Sequence, residues 1–221
     1  MKKCLSMILA LAMTVSLAAC GGDGGKQPAG GSGSNGGETK VSLNVSVPDA
    51  DNSYIYAAAQ EFKAKVEEYS GGSIELTIFP NGTLYGGDGN AAVTSVGNGS
   101  LDIVILAASL YASFDPSFFV ISVPYLFDDT KQLQDYLNSD TGKDLFNSVE
   151  SMGITCLGRW TRSFRQITNS KTPVNSPDDL KGMVLRTPSN SLYTEYFTAC
   201  GATATPMNFS EVYNALQLNT L

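Results

Sequence analysis

LKGMVLRTPSN, residues 180–190, is the stretch on which the fold turns. Met183-Val184-Leu185-Arg186 is a short apolar run of strand character, and Pro188 closes it before a helical pattern resumes at Ser191. Just upstream, Ser176-Pro177-Asp178-Asp179 is a helix start with proline at the first helical position. A strand punctuated this way between helical segments is one unit of an α/β protein. An arginine at its carboxyl end is also a chemical question. It either trails its head into water or waits for an anion.

The same unit recurs outward along the chain. VSLNVSV, residues 41–47, alternates in polarity and reads as a strand. Asp51-Asn52-Ser53 supplies N-cap oxygens to a helix whose Ile55, Ala58, Ala59, Phe62, Val66 and Tyr69 share one face, and Ser70-Gly71-Gly72 stops it. SIELTIF, 73–79, is a second strand, closed by Pro80-Asn81-Gly82. A helix near 88–97 leads to LDIVIL, 101–106, whose continuous apolar character suits a buried parallel strand. After Pro124, residues 130–152 read as two short helices broken at Thr141-Gly142. ITCLGRW, 154–160, reads as a strand, and FRQITN follows with Arg165 at the start of its neighbour. Ser191–Ala199 and Phe209–Leu218 are helices, the last capped by Asn208 or Ser210. This order predicts α/β architecture with parallel strands and no internal repeat.

The head of the chain is of a different kind. A basic MKK start, an apolar stretch and Leu17-Ala18-Ala19-Cys20 form an export signal over residues 1–20, and its ending resembles the bacterial lipobox, in which the cysteine is lipidated. Gly21 to Gly37 holds nine glycines in seventeen residues, so 21–39 is a flexible linker. Its reach is roughly 20–25 Å by the square-root rule for glycine-rich chains. The expectation is an exported domain, lipid-anchored at Cys20 to the outer face of the cell membrane or held in the periplasm.

Composition narrows the chemistry. The formal charge is −7, and loss of Lys2 and Lys3 with the leader makes it −9, which argues against nucleic acid as a partner. The absence of histidine excludes His-containing triads and histidine-ligated zinc. GDGNAA, 87–92, matches a dinucleotide fingerprint in letters only, and it reads as turn chemistry. Asp128-Asp129 and Asp178-Asp179 are explained by helix starts. The chain is therefore read as no enzyme, with no catalytic residue, metal or cofactor. Cys156 and Cys200 sit in apolar surroundings and read as small hydrophobes, with their pairing left open.

Binding chemistry is better supplied. Arg162, Arg165 and Arg186 cluster in the second half beside Trp160 and Phe164. In open α/β sheets ligands bind beyond the carboxyl ends of strands, which is where Arg186 stands. A guanidinium there can grip a carboxylate with two charge-assisted hydrogen bonds.

LGRWTRSFRQITNSKTPVNSPDDLKGMVLRTPSN followed by GATATPMNFSEVYNALQ resembles the DctP-type solute-binding proteins of TRAP transporters, in a lipoprotein form. DNSYIYAAAQEF, SGGSIELTIFPNG, NGSLDIVI and VPYLFDD match that family's earlier blocks, so the likeness runs from 41 to 221. It implies a two-lobed periplasmic-binding-protein-like fold, with an α/β lobe at 40–162 and part of a second at 163–221. It also implies capture of a small organic acid, a C4-dicarboxylate or related carboxylate, for delivery to TRAP membrane subunits. Arg186 matches the arginine that clamps the ligand carboxylate, and Arg165 matches a second one often in the site. Asn208 and Phe209 match a loop and helix start lining the cleft, and Trp160 with Phe209 would cover the ligand's apolar part. Ala107-Ala108 stand where sialic-acid binders carry a glutamate, which disfavours that ligand. The family pattern continues past Leu221 with a long connecting helix and returning strands, so the resemblance implies an incomplete second lobe. A sensory module presenting its ligand to a receptor fits the same residues. An exported enzyme acting on an anionic substrate would need an acid or base that the chain does not offer.

Overall fold

In the computed structural model, which describes residues 40–221, the first two strands run parallel because the chain returns between them through a long helix. β1 (Val41–Ser46) and β2 (Ile74–Phe79) flank α1 (Tyr54–Tyr69), and their register runs from Val41 opposite Ile74 to Ser46 opposite Phe79. α2 (Gly89–Gly97) then crosses to β3 (Ile103–Val104), which adds to the other edge of β1 and gives the order β2-β1-β3. As the central strand, β1 is covered on both faces, and Val45, Ser46 and Val47 are fully buried. The apolar face of α1 packs Ile55, Ala59, Phe62 and Val66 against Val45, Val47 and Leu76. Each such side chain, when fully buried, contributes about 1.5–3 kcal/mol by removal from water.

The caps act as the sequence asks. Ser53 Oγ accepts from Tyr56 N at 3.1 Å to start α1. Asp88 accepts from Asn90 N and Ala91 N to start α2, so GDGNAA is a turn and a helix start. Beyond β3, two 3-10 segments at 108–113 and 116–122, with α3 (Thr130–Asn138) and α4 (Asp140–Asn147), enclose a second core. Phe118 is its centre, wholly buried with Ala112, Leu145 and Val149, and the Phe146 ring meets it edge-on at 5.4 Å.

A second parallel sheet pairs β4 (Val184–Thr187) with β5 (Thr203–Pro206) through α5 (Ser191–Ala199), and α6 (Phe209–Gln217) follows. Leu180, Met183 and Ala202 are its buried residues, with Leu185 and Phe197 against them. Ahead of β4, the expected helix start is a short 3-10 turn, where Asp179 Oδ2 accepts from Ser176 N and Oγ. Among the described residues Cys156 and Cys200 form no disulfide, and both are half-buried. None of the helices among the described residues is long and apolar enough to cross a membrane. The leader, Cys20 and the linker lie outside the described residues.

Four expectations are corrected. ITCLGRW and FRQITN are not strands: residues 154–168 carry no regular secondary structure, because among the described residues no neighbouring strand offers them a ladder. They are tied by side chains instead, as where Gln134 Nε2 donates to Thr161 Oγ1 at 3.0 Å. The strand read at 101–106 shrinks to Ile103–Val104, since only these face β1 in register. The break between α3 and α4 falls at Ser139, whose Oγ accepts from Gly142 N, rather than at Thr141-Gly142. Gly142 sits inside α4, where an added Cβ would collide with the Tyr136 carbonyl and Leu137, so it is there for close packing. Finally, β5 is a strand that no periodicity announced. Its letters, Thr-Ala-Thr-Pro, have no apolar run, and only pairing with β4 defines it.

Candidate functional site

Arg186 is the third residue of β4, opposite Thr205 of β5. Its guanidinium folds across the end of the pair, where Nε (3.0 Å) and Nη2 (2.7 Å) both donate to the main-chain oxygen of Met207. That carbonyl belongs to the residue after β5, and Met207 N in turn donates to Thr187 O, so the strand ends themselves hold the arginine. The Phe209 ring, half exposed at the start of α6, stands 5.8 Å from Arg186 Cζ. Burial, and then the nearby charge of Arg165, push the Arg186 pKa down to about 10. Among the described residues no carboxylate stands within ion-pair distance of Arg186 or Arg165. A half-buried cation whose protein partner is only a carbonyl lacks a counter-charge, and burying charge unpaired is costly.

Arg165 is exposed and leans on α5. Its Nε donates to Tyr193 Oη at 3.1 Å, with Cζ 4.6 Å from the Tyr193 ring centroid. Tyr193 is positioned by the start of α5, where Asn190 Oδ1 accepts from Tyr193 N. The other hand of Asn190, Nδ2, donates at 2.7 Å to the Ser109 carbonyl of the first region. Asn208 occupies the N-cap position of α6, yet its side chain makes no capping hydrogen bond. Trp160 is half exposed and makes no aromatic or cation–π pair with these groups among the described residues. Arg165, Arg186 and Phe209 are thus brought together, and Asn208 stands next to Phe209.

Sequence reasoning passed over Asp49 and assigned no role to Arg162. Asp49 lies just past the carboxyl end of β1 and is almost inaccessible, with its main-chain oxygen accepting from Asn81 N. Both of its carboxylate oxygens take Nη2 of Arg162, at 3.2 and 3.0 Å. The Arg162 guanidinium also rides 5.6 Å from the Tyr54 ring. The signal was available: the strand-end position that singled out Arg186 applies equally to Asp49.

These contacts close on themselves. From Arg186 the path runs to Phe209, and its neighbour Ser210 touches Gly87 so closely that a Cβ on Gly87 would collide with the serine side chain. Gly87 also has φ +78°, a conformation glycine adopts without strain. Two residues back, Tyr85 is buried with its hydroxyl unpartnered, and burial together with the Asp49 charge raises its pKa. Asp49 then grips Arg162, and Arg165 returns the circuit to Arg186. Elements of both sheets therefore meet around these residues, which include two arginines without a carboxylate among the described residues and one that Asp49 neutralises. Two surface hollows, of about 400 and 320 Å³, lie elsewhere, around Tyr136 and Leu145 and around Val93 and Phe114.

Comparison with known proteins places this geometry. The family described as bacterial extracellular solute-binding protein, family 7, matches residues 45–221. A 2,3-diketo-L-gulonate-binding periplasmic protein of Escherichia coli is 34% identical over 166 residues, covering 75% of this chain and 50% of its own length. A C4-dicarboxylate-binding protein of Bacillus subtilis is 33% identical over 172 residues, 78% of this chain and 49% of that one. The chain thus spans about half the length of these relatives. Among solved structures, a sugar acid binding protein of Advenella mimigardefordensis in complex with galactonate superposes with a TM-score of 0.78 at 31% identity, over 83% of this chain and 58% of that chain. A TRAP periplasmic solute-binding protein of Pseudomonas aeruginosa with bound L-malate gives 0.74 at 26% identity, over 82% and 62%. The α/β architecture with parallel sheets expected from the sequence is the fold the chain shares with these binding proteins.

Proposed function

The chain belongs to the bacterial extracellular solute-binding proteins of family 7, and from that membership we propose that it captures a small organic acid outside the cytoplasm for a TRAP-type secondary transporter. The observation that carries the reading is Arg186: half-buried, held along one edge by the Met207 carbonyl, with no carboxylate in reach among the described residues and a second cation beside it. An incoming carboxylate supplies the missing counter-charge, with Arg186 as its anchor and Arg165 as a second donor. Phe209 and Trp160 cover the apolar part of the acid, and Asn208 offers its unengaged amide. The acid sits between an α/β lobe at 40–162 and a second lobe that begins at 163. TRAP membrane subunits receive it from there. The leader delivers the protein across the membrane, a lipid on Cys20 anchors it, and residues 21–39 tether the binding domain.

A thermal-shift panel of C4-dicarboxylates, 2-oxo acids and sugar acids tests this, with Arg186→Ala and Arg186→Lys in parallel. The stabilising acid should lose at least about 100-fold in affinity in Arg186→Ala, because each hydrogen bond to a charged group contributes roughly 1.5–3 kcal/mol. Arg186→Lys should rescue only part of it, since lysine keeps the charge and lacks the two-pronged geometry. A folded protein that ignored every acid, or bound one equally well without Arg186, would sink the reading.

A further inference from the structure

The circuit around the site contains three arginines, and they are not alike. Arg165 and Arg186 face it without a carboxylate partner among the described residues, whereas Arg162 is bound to Asp49. The exposures of that pair are unequal: the Asp49 side chain is 9% exposed and that of Arg162 is 49%. What faces outward from the pair is therefore the guanidinium. Only Nη2 of Arg162 is engaged among the described residues, which leaves Nε and Nη1 as open donors. Arg162 precedes Arg165 by three residues, so their Cα atoms are at most about 10 Å apart along the chain.

We propose that Asp49 and Arg162 form a charge-neutral donor subsite that selects hydroxy monocarboxylates, sugar acids in chemical class, over dicarboxylates. The proposal rests on the carboxylate-anchor reading of Arg186 and gives it a direction. One end of the ligand carries the charge and meets Arg165 and Arg186. The other end meets donors that carry no net charge, because Asp49 cancels Arg162. A hydroxyl or carbonyl oxygen is satisfied by such donors. A second carboxylate is not, because it must shed its water and approach a buried carboxylate whose only cation is already shared. The Tyr54 ring under Arg162 keeps the guanidinium plane in place while its far edge stays open.

D-Gluconate and D-glucarate differ in one terminal group, hydroxymethyl against carboxylate, and titration calorimetry of the full chain with each reads the selection. Wild type should bind gluconate at least about tenfold more tightly. Asp49→Asn is isosteric and frees the charge of Arg162, so the ratio should move by about tenfold toward glucarate. Arg162→Gln leaves Asp49 uncompensated, so the ratio should move the opposite way. Shifts of opposite sign in the two variants cannot come from a general loss of folding. A wild type that prefers glucarate, or a ratio unmoved in both variants while Arg186→Ala still abolishes binding, overturns the subsite and leaves the anchor standing. If neither acid binds wild type and Arg186→Ala changes nothing across the wider acid panel, the anchor reading fails and takes the subsite with it.

Discussion

The two sheets use the same strand-helix-strand unit and bury very different amounts of it. In the first, β1 is enclosed by a strand on each side and by the apolar face of α1, and its last two residues, with Val47 just beyond them, are inaccessible. A second core around Phe118 backs it. In the second, two strands stand alone, α5 contains no fully buried residue, and α6 leaves Phe209, Tyr213 and Leu216 more than half exposed. Yet Arg186 and Phe209 belong to this lesser-buried region. Burial is thus concentrated around the first sheet, in a chain that spans about half the length of its relatives.

The comparison breaks most visibly by cavity formation. Phe118→Ala should destabilise the protein by about 3–5 kcal/mol in denaturant titration, whereas Leu180→Ala, in the smaller core, should cost near 2 kcal/mol, the low end for its type. Equal losses would mean that the second sheet is anchored as firmly as the first. An intermediate effect belongs to Asn190, which starts α5 and reaches Ser109 across the regions. Asn190→Ala should cost about 1–2 kcal/mol, and thermal unfolding monitored at Trp160 reads it. A loss no larger than that of an exposed Asn→Ala elsewhere would remove the cross-region bond from the account. The smallest effect is at Asp179. Hydrogen bonds from the Asn175 and Ser176 amides hold its carboxyl below the ordinary value of 3.8. Its contribution is therefore complete above that value and disappears as pH falls through the lower folded value. Asp179→Asn should lower the melting temperature slightly at pH 6, and the difference should close on strong acidification. A difference that persists there would point to packing rather than charge.

What could be read in advance divides along the line between local and long-range interactions. α1 and α5 were legible because cap, apolar period and stop all lie within their own residues: Ser53 with Ser70, and Asn190 with Gly201. Arg186 was legible because a strand, a proline and a charge adjoin in sequence. β5 was not, for Thr203 and Thr205 become strand residues only opposite Val184 and Arg186. Residues 154–168 err the other way: their composition suits a strand, but strands are made by partners. The Asp49–Arg162 pair spans more than a hundred positions, and no periodicity connects its members. The circuit around the site was thus half legible, in its arginines, and half hidden, in the carboxylate that distinguishes one of them from the rest.

Gly87 and Ser210 share a consequence for how such a chain can change over generations. Because the missing side chain at 87 is the space into which Ser210 fits, a change at either position meets the other. A larger residue at 87 becomes tolerable only if 210 shrinks, and the positive φ confines even that exchange to a few residue types. The two sites are far apart in sequence, but a substitution at one should be felt at the other.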